Sequence, residues 1–226
     1  MKRKARLKRK VFTALVVALL LLGLAGLAVY RASRQTPEFY RKAMKSDPAA
    51  QSEASHRMLG KSSDLLSAMK REGAWHALFT AEEINGWLAV DLVRNHPDAI
   101  PEGIFDPRIA VNPEQISLAC RTDRAGGNGV LSLTVEPYVP EPNVIAVRFR
   151  RARLGAMPLP LKHVLDGVTE AGRQSGLRLQ WHQVDGDPVA LFRMPPPDRG
   201  DKWSVRIDSL RLAEGEIYLS GTVKRQ

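Results

Sequence analysis

Cysteine and histidine are the residue types in this chain that most often act as nucleophiles, bases or metal ligands. There is one cysteine, Cys120. A reactive thiol needs a neighbouring base, and two histidines that hold a metal from one helix are usually four residues apart. The sequence has neither pattern, and Cys120 alternates with Ile116 and Leu118, which predicts a small hydrophobe packed in a strand. The five histidines are His56, His76, His96, His163 and His182.

Two adjacent carboxylates, Glu82 and Glu83, resemble a catalytic acid pair only in composition. They follow Thr80 at the spacing of a capping box, in which the threonine hydroxyl and the Glu83 carboxylate each accept the other residue's N–H. Neighbours at a helix start do not face one reacting atom. The chain also lacks the G-x-S-x-G, H-E-x-x-H, G-x-x-x-x-G-K-[ST] and G-x-G-x-x-G motifs. We therefore expect no catalytic residue, no metal site, no cofactor and no enzymatic activity.

Apolar side chains at regular spacing are the other residues that could bind a ligand. Each CH₂ group removed from water contributes about 0.8 kcal/mol, so aligned apolar stripes can hold an acyl chain as well as form a core. A groove and a core have the same periodicity, and the sequence leaves both interpretations open. The candidate groove residues are Ile84, Trp87, Leu88, Ile145, Val147, Phe149, Leu161, Leu165 and Val168.

Several helices must position these residues. Residues 31–72 are polar and Ala-rich, and prolines divide them into a short helix near 37–45 and a longer one near 48–72. The capping box opens a third helix, which carries Ile84 and ends near Pro97. Prolines introduce a fourth helix at Leu161. In the 48–72 helix the residues close to one face are Met58, Leu65, Leu66 and Met69.

From residue 105 onward the period changes to two. Apolar and polar residues alternate around 116–120, 131–135, 145–149, 177–181, 205–207 and 217–223. This alternation indicates strands with one solvated face, and turn residues at 126–129, 185–187 and 214–215 predict hairpins between antiparallel strands. The three prolines at 195–197 are interpreted as a rigid connector. The predicted fold class is α+β, a curved antiparallel sheet with packed amphipathic helices.

Residues 11–30 contain no charged side chain. Twenty apolar residues can cross a hydrocarbon core of about 30 Å as a helix, and the basic residues before them favour a cytoplasmic N-terminus. A cleaved signal peptide is the alternative, although its apolar core is usually about 7–15 residues long. We predict a basic cytoplasmic tail (1–10), a transmembrane helix (11–30), a helical juxtamembrane segment (31–72) and an exported α+β domain (73–226). The protein would then be a single-pass protein of the cell membrane.

The formal net charge of +10 is concentrated at the N-terminus. Residues 1–10 hold seven of the 34 Lys and Arg residues and none of the 24 Asp and Glu residues. A nucleic-acid surface would need its charge on the folded domain, so we expect no nucleic-acid partner. The one basic run there is expected to form an outward, solvated strand face. Its members are Arg148, Arg150, Arg151 and Arg153.

Two segments resemble a known family. FTAEEINGWLAVDL (79–92) and LTVEPYVPEPNVIAVRFRRARLGAMPLPLKHVLDGV (133–168) are similar to the YpmS-like family of membrane-anchored bacterial proteins. The shared positions are Thr80, Glu82 or Glu83 and Asn85, then Leu154-Gly155, Pro158, Val164 and Leu165. The resemblance implies a distant relation to tubular lipid-binding domains, in which a curled sheet wraps a helix around acyl chains. It carries over no catalytic residue.

The expected function is therefore that of a non-enzymatic envelope protein whose exported domain binds lipid or another long apolar ligand. The alternative is a packed scaffold domain of an envelope assembly complex, which would dock a protein partner through the 48–72 helix or an exposed apolar patch. An exported hydrolase is the weakest alternative, and a carboxylate pair or a Ser/His pair in a cleft would revive it.

Overall fold

The computed structural model describes residues 31–123, 129–174, 179–194 and 203–225. The basic tail, the predicted transmembrane helix 11–30, the proline connector and parts of the predicted 126–129 turn and 177–181 strand lie outside these residues. Among the helices that are described, none is both long and apolar enough to cross a membrane. The described chain is α+β with antiparallel strands, as the sequence predicts. The prediction of one sheet is wrong, because the described strands form two sheets, and alternation along a strand does not reveal which strands pair.

Five α-helices, one short 3₁₀ helix (Pro97–Ala99) and ten strands have bounds within the described residues. The helices are α1 (Glu38–Ala43), α2 (Pro48–Ala68), α3 (Ala81–Ala89), α4 (Asp91–Asn95) and α5 (Leu161–Gln174). The strands are β1 (Gly73–Thr80), β2 (Ile104–Val111), β3 (Ile116–Thr122), β4 (Gly129–Glu141), β5 (Val144–Leu154), β6 (Met157–Leu159), β7 (Leu179–Val184), β8 (Asp187–Arg193), β9 (Trp203–Ala213) and β10 (Glu216–Arg225). One sheet has the order β1-β10-β9, and the other has the order β2-β3-β4-β5-β8-β7 with β6 also paired to β5.

The predicted helices form, with two differences. The helix predicted to run from the capping box to residue 95 is divided at Val90, whose φ of −113° and ψ of −63° separate α3 from α4. The prediction that Leu66 lies on the packed face of α2 is wrong, because its side chain is 61% exposed. Leu65 and Met69, on the neighbouring helical positions, do pack inward. Adjacent residues of a helix point about 100° apart, so Leu65 packs inward while Leu66 is exposed.

A β-bulge determines which residues of β5 share a face. Val135 of β4 pairs with Phe149 of β5, but Thr134 pairs with Arg151, so Arg150 is an extra residue in β5. Such a bulge bends the strand and reverses the alternation beyond it. Val135 and Phe149 therefore lie on one sheet face, and Thr134 and Arg151 lie on the other.

The two faces of this sheet are covered by different helices. On the Phe149 face, α5 packs over β5 and β7. On the opposite face, α1 inserts Tyr40, which is 2% exposed and contacts Ala119 and Val130. The Tyr40 hydroxyl donates to the backbone oxygen of Asp106 at 3.0 Å. Burial, followed by the nearby Asp106 carboxylate, raises the pKa of Tyr40 to about 12.

Asparagine side chains satisfy the backbone of an edge strand in each sheet. Asn85 of α3 donates to the carbonyl of Ile109 at 2.9 Å and accepts its N–H at 2.7 Å. Asn143, in the β4–β5 turn, accepts the N–H of Ile207 at 2.8 Å and donates its own backbone N–H to the Ile207 carbonyl at 3.0 Å. These contacts occupy hydrogen-bonding groups that an edge strand would otherwise leave open.

The three-stranded sheet has its own core. Trp75, Ile207 and Val223 are buried there, and Leu65 of α2 and Met69, which follows the end of α2, pack against them. The helix α2 thus joins the sheet directly, as the sequence predicts for a helix that packs on its own domain.

Candidate functional site

An apolar cluster between α5 and the larger sheet brings together five of the nine candidate groove residues. Its buried members are Val135, Phe149 and Ala190. The helix contributes a half-buried stripe, and the sheet adds Val147 beside Phe149. The five candidates in this cluster are Val147, Phe149, Leu161, Leu165 and Val168.

Polar and aromatic contacts hold α5 in place. The indole N–H of Trp181 in β7 donates to the hydroxyl of Thr169 at 3.0 Å. The rings of Trp181 and Phe149 have their centroids 5.4 Å apart and are tilted by 51°. Aromatic pairs in such tilted arrangements contribute about 0.5–1.5 kcal/mol beyond the area that they bury. The helix is therefore held by its apolar stripe and by the Trp181–Thr169 hydrogen bond.

The other four candidates lie elsewhere. Ile145 packs with the Trp75 core of the smaller sheet. Ile84, Trp87 and Leu88 are half-buried residues of α3, which packs against α2 and β2. The ring of Trp87 lies 6.2 Å from that of His96. The nine residues consequently belong to three separate regions of the fold.

Glu83 is the most deeply placed acid among these helices, with 4% of its surface exposed. The predicted capping box is confirmed: Glu83 N–H donates to the Thr80 hydroxyl at 3.1 Å, and Thr80 N–H donates to the Glu83 carboxylate at 2.9 Å. Lys61 of α2 also donates to that carboxylate, at 2.7 and 2.8 Å. Burial acts to raise the pKa of Glu83, but the hydrogen bonds from Lys61 and Thr80 outweigh it and the net pKa is lowered. This carboxylate joins two helices and is held ionised.

A second partly buried acid, Asp91, lies near a histidine. Asn95 donates to Asp91 at 2.6 Å, and His96 Nε2 lies 3.6 Å from the other carboxylate oxygen. Among the described residues, no hydroxyl or thiol is hydrogen-bonded to His96. The Asp91–His96 pair therefore lacks the adjacent nucleophile that acyl transfer requires.

The thiol of Cys120 lies in β3, as the alternation predicts. Burial raises the pKa of Cys120 to about 11. Because the thiolate is the nucleophilic form, a thiol with this pKa is almost entirely protonated and unreactive at neutral pH. In the parts of the chain that are described, no three His, Cys, Asp or Glu side chains are grouped closely enough to hold a metal ion.

Two cavities lie on the sheet face opposite α5, beside the chain segment that leads into α1. The first has a volume of about 340 Å³ and the second about 480 Å³. None of the nine candidate groove residues lines either cavity. The second is bordered by Phe105 and by Arg121, whose Nε donates to Asp106 at 2.6 Å. The first is lined mainly by hydroxyl, amide and guanidinium groups from the lead-in segment and from β3, β4 and β5.

The four arginines of the basic run do not form one solvated face. The Arg148 side chain is 17% exposed, and its Nη2 lies 3.5 Å from Asp185. Arg150, in the bulge, donates to Glu136 at 2.6 Å and to Asp187 at 2.5 Å. Only Arg151 and Arg153 are exposed and directed along the first cavity. The prediction of a common outward face is thus wrong for Arg148 and Arg150, because sequence alternation does not reveal the bulge.

No family model, no curated protein and no solved structure matches this chain.

Proposed function

We propose that this protein is a non-enzymatic, membrane-anchored cell-envelope protein whose exported domain binds lipid or another long apolar ligand. In this proposal residues 11–30 form the transmembrane anchor, residues 31–226 lie outside the cytoplasm, and the chain is a YpmS-like protein. Twenty uncharged residues behind a strongly basic segment support the anchor and its orientation.

The observation that carries the binding proposal is the state of α5. Its apolar stripe, Leu161, Leu165 and Val168, packs on a sheet face whose central side chains are buried, yet the stripe itself is only half-buried. An acyl chain inserted between helix and sheet would cover the remaining apolar surface of the stripe. Each CH₂ removed from water would add about 0.8 kcal/mol, so even a chain of modest length would bind firmly.

A non-enzymatic role is consistent with the placement of the reactive groups. Glu83 is engaged by two helices, Cys120 is protonated, and Asp91 faces an imidazole without a nucleophile beside it. Glu83 and Asp91 each have a hydrogen-bonding partner within the fold, and Cys120 lies in strand β3.

The proposal is tested by native mass spectrometry of the full-length protein purified from membranes in mild detergent. We expect a co-purifying lipid whose occupancy falls at least fivefold in Leu165→Asp, because a buried charge opposes an adjacent acyl chain. Absence of any lipid-sized adduct from the wild-type protein would contradict the proposal.

A scaffold role is the second candidate, and exposed leucines on α2 favour it. Leu59 is 42% exposed and Leu66 is 61% exposed. Seven residues apart, they lie on the same helical face and could dock a protein partner. The variant Leu66→Asp distinguishes the two roles. If the protein is a scaffold, the variant should lose its crosslinks to an envelope protein. If the protein binds lipid near α5, the variant should retain the lipid occupancy of the wild type.

A further inference from the structure

The first cavity is lined by hydroxyl and guanidinium groups that can donate hydrogen bonds to a ligand. Residues 35–37 and Phe39 form one wall, and strands β3, β4 and β5 form its floor. Three hydroxyl groups and two guanidinium groups reach it from the floor. They belong to Ser117, Ser132, Thr134, Arg151 and Arg153.

The strand register aligns these groups in two rows. Ser117 of β3 pairs with Thr134 of β4, and Thr134 pairs with Arg151 of β5. In the next row Ser132 pairs with Arg153. Arg151 and Arg153 are two residues apart on the same strand face, so their Cα atoms are roughly 7 Å apart. Both guanidinium groups can therefore contact the same chemical group of a ligand. The bulge at Arg150 is what places Arg151 and Arg153 on the hydroxyl-bearing face.

The charge of this cavity is uncompensated among the described residues. No Asp or Glu lines it, and none of the ion pairs in the described ranges involves Arg151 or Arg153. Their neighbour Arg150, by contrast, is bound by two carboxylates. Two adjacent guanidinium groups repel each other unless an anion lies between them, and their fork geometry suits phosphate oxygens.

Residues that line the cavity are also in direct contact with the segment that follows residue 30. Ala156 N–H donates to the Ala32 carbonyl at 2.8 Å. Gly155, with φ of +60°, lies so close to this segment that an added Cβ would be 2.3 Å from the Ala32 carbonyl oxygen. Gly155 and Ala156 themselves line the cavity. Gln35, which lines the cavity, follows residue 30 by five positions, and five residues extend at most about 18 Å. An anchor that ends at residue 30 would therefore hold the cavity near the lipid headgroups.

We propose that this cavity binds the phosphate of an anionic phospholipid headgroup, with Arg151 and Arg153 contacting the phosphate oxygens and the three hydroxyl groups donating beside them. The proposal rests on the membrane anchor of the proposed function and adds a polar site on the sheet face opposite α5. Its volume of about 340 Å³ lies within the roughly 300–1,000 Å³ of small-ligand sites.

The test uses the full-length protein in dodecyl maltoside micelles doped with phosphatidylglycerol or with phosphatidylcholine, and native mass spectrometry counts the retained lipid. The variants are R151Q/R153Q, the charge-preserving R151K/R153K and the matched control R211Q/R225Q. Arg211 and Arg225 are exposed strand arginines of the other sheet, so the control loses the same charge. Circular dichroism verifies that each variant is folded.

We expect the wild type and R211Q/R225Q to retain phosphatidylglycerol in preference to phosphatidylcholine. R151Q/R153Q should retain at least tenfold less phosphatidylglycerol, and R151K/R153K should fall between. Equal retention by R151Q/R153Q and the wild type would overturn the headgroup site while leaving lipid binding near α5 intact. Equal losses in R151Q/R153Q and R211Q/R225Q would also overturn it, because the effect would then be one of total charge.

A parallel measurement distinguishes a lipid headgroup from free phosphate. Millimolar inorganic phosphate is added without lipid, and the unfolding midpoint is recorded for the wild type and R151Q/R153Q. An arginine-dependent rise in midpoint without any retained phosphatidylglycerol would overturn the headgroup assignment in favour of a free anion. No lipid in any form of the protein and no phosphate effect would overturn both this site and the proposed lipid-binding function.

Discussion

Replacing Glu83 by glutamine would remove a buried charge that links α2 to α3 while preserving the shape of the side chain. The carboxylate accepts from Thr80 N–H at 2.9 Å and from Lys61 at 2.7 and 2.8 Å. A glutamine has one acceptor oxygen, so its amide group must face one of these donors. Hydrogen bonds to charged groups contribute about 1.5–3 kcal/mol. Because the Lys61 side chain is 38% exposed, water offsets part of the loss, and we expect about 2 kcal/mol.

That loss should lower the thermal midpoint by about 4–8 °C for a protein of this length. Intrinsic tryptophan fluorescence of the full-length protein in detergent provides the measurement. Glu82→Gln is the control, because Glu82 is 71% exposed and its 2.7 Å pair with Arg57 should contribute no more than about 0.5 kcal/mol. Equal midpoints for Glu83→Gln and Glu82→Gln at neutral pH would show that the buried Glu83 carboxylate does not stabilise the contact between α2 and α3.

The pH dependence of the same variant follows from the direction of the pKa shift. The pKa of Glu83 is lower in the folded protein than its ordinary value, so its stabilisation is present above the ordinary pKa of about 4.3. It is lost as the pH falls through the folded pKa. The difference in midpoint between the wild type and Glu83→Gln should therefore shrink when the pH is lowered from 7 to about 3. A constant difference would contradict the assignment.

Three other predictions concern packing and reactivity. Gly221→Ala would place a Cβ 2.0 Å from a backbone carbonyl of β9 and should destabilise the fold by about 3 kcal/mol or more. The Cβ of Gly60→Ala would meet no atom within 4 Å, so this substitution should stabilise α2 by about 0.5–1 kcal/mol. The thermal midpoints of the two variants are compared with that of the wild type. The Cys120 thiol should react with iodoacetamide at pH 8 about a hundredfold more slowly in the folded protein than in urea, because burial raises its pKa to about 11, and mass spectrometry follows the adduct. Asn85→Ala should cost about 1–3 kcal/mol, because it leaves both backbone groups of Ile109 without their side-chain partner, and urea unfolding measures the loss.

Most secondary structure could be predicted because its signals are local. The Thr80 capping box, the proline-bounded helices and the alternating strands each depend on residues a few positions apart. The break at Val90 was missed because the apolar spacing continues across it. The exposure of Leu66 was missed because apolar residues at neighbouring positions do not reveal which part of a stripe meets the sheet.

The candidate sites were harder to predict because they depend on distant segments. Lys61 reaches Glu83 from 22 residues away, and Asn85 reaches Ile109 from 24 residues away. Asn85 is one of the positions that the sequence singles out, but only the fold gives its side chain a partner. The transmembrane assignment of residues 11–30 stays a prediction from sequence.

The α+β class, the order of most helices and strands, and the concentration of charge before the apolar segment follow from local composition and periodicity in the sequence. Which arginines are neutralised depends on contacts between strands that are distant in the chain. Arg150 meets Glu136 and Asp187 across neighbouring strands, while Arg151 and Arg153 lie in a cavity without a carboxylate among its described lining residues. The physical reason is strand register: one extra residue in β5 changes the face on which each following side chain lies, and with it the charges that the side chain can reach.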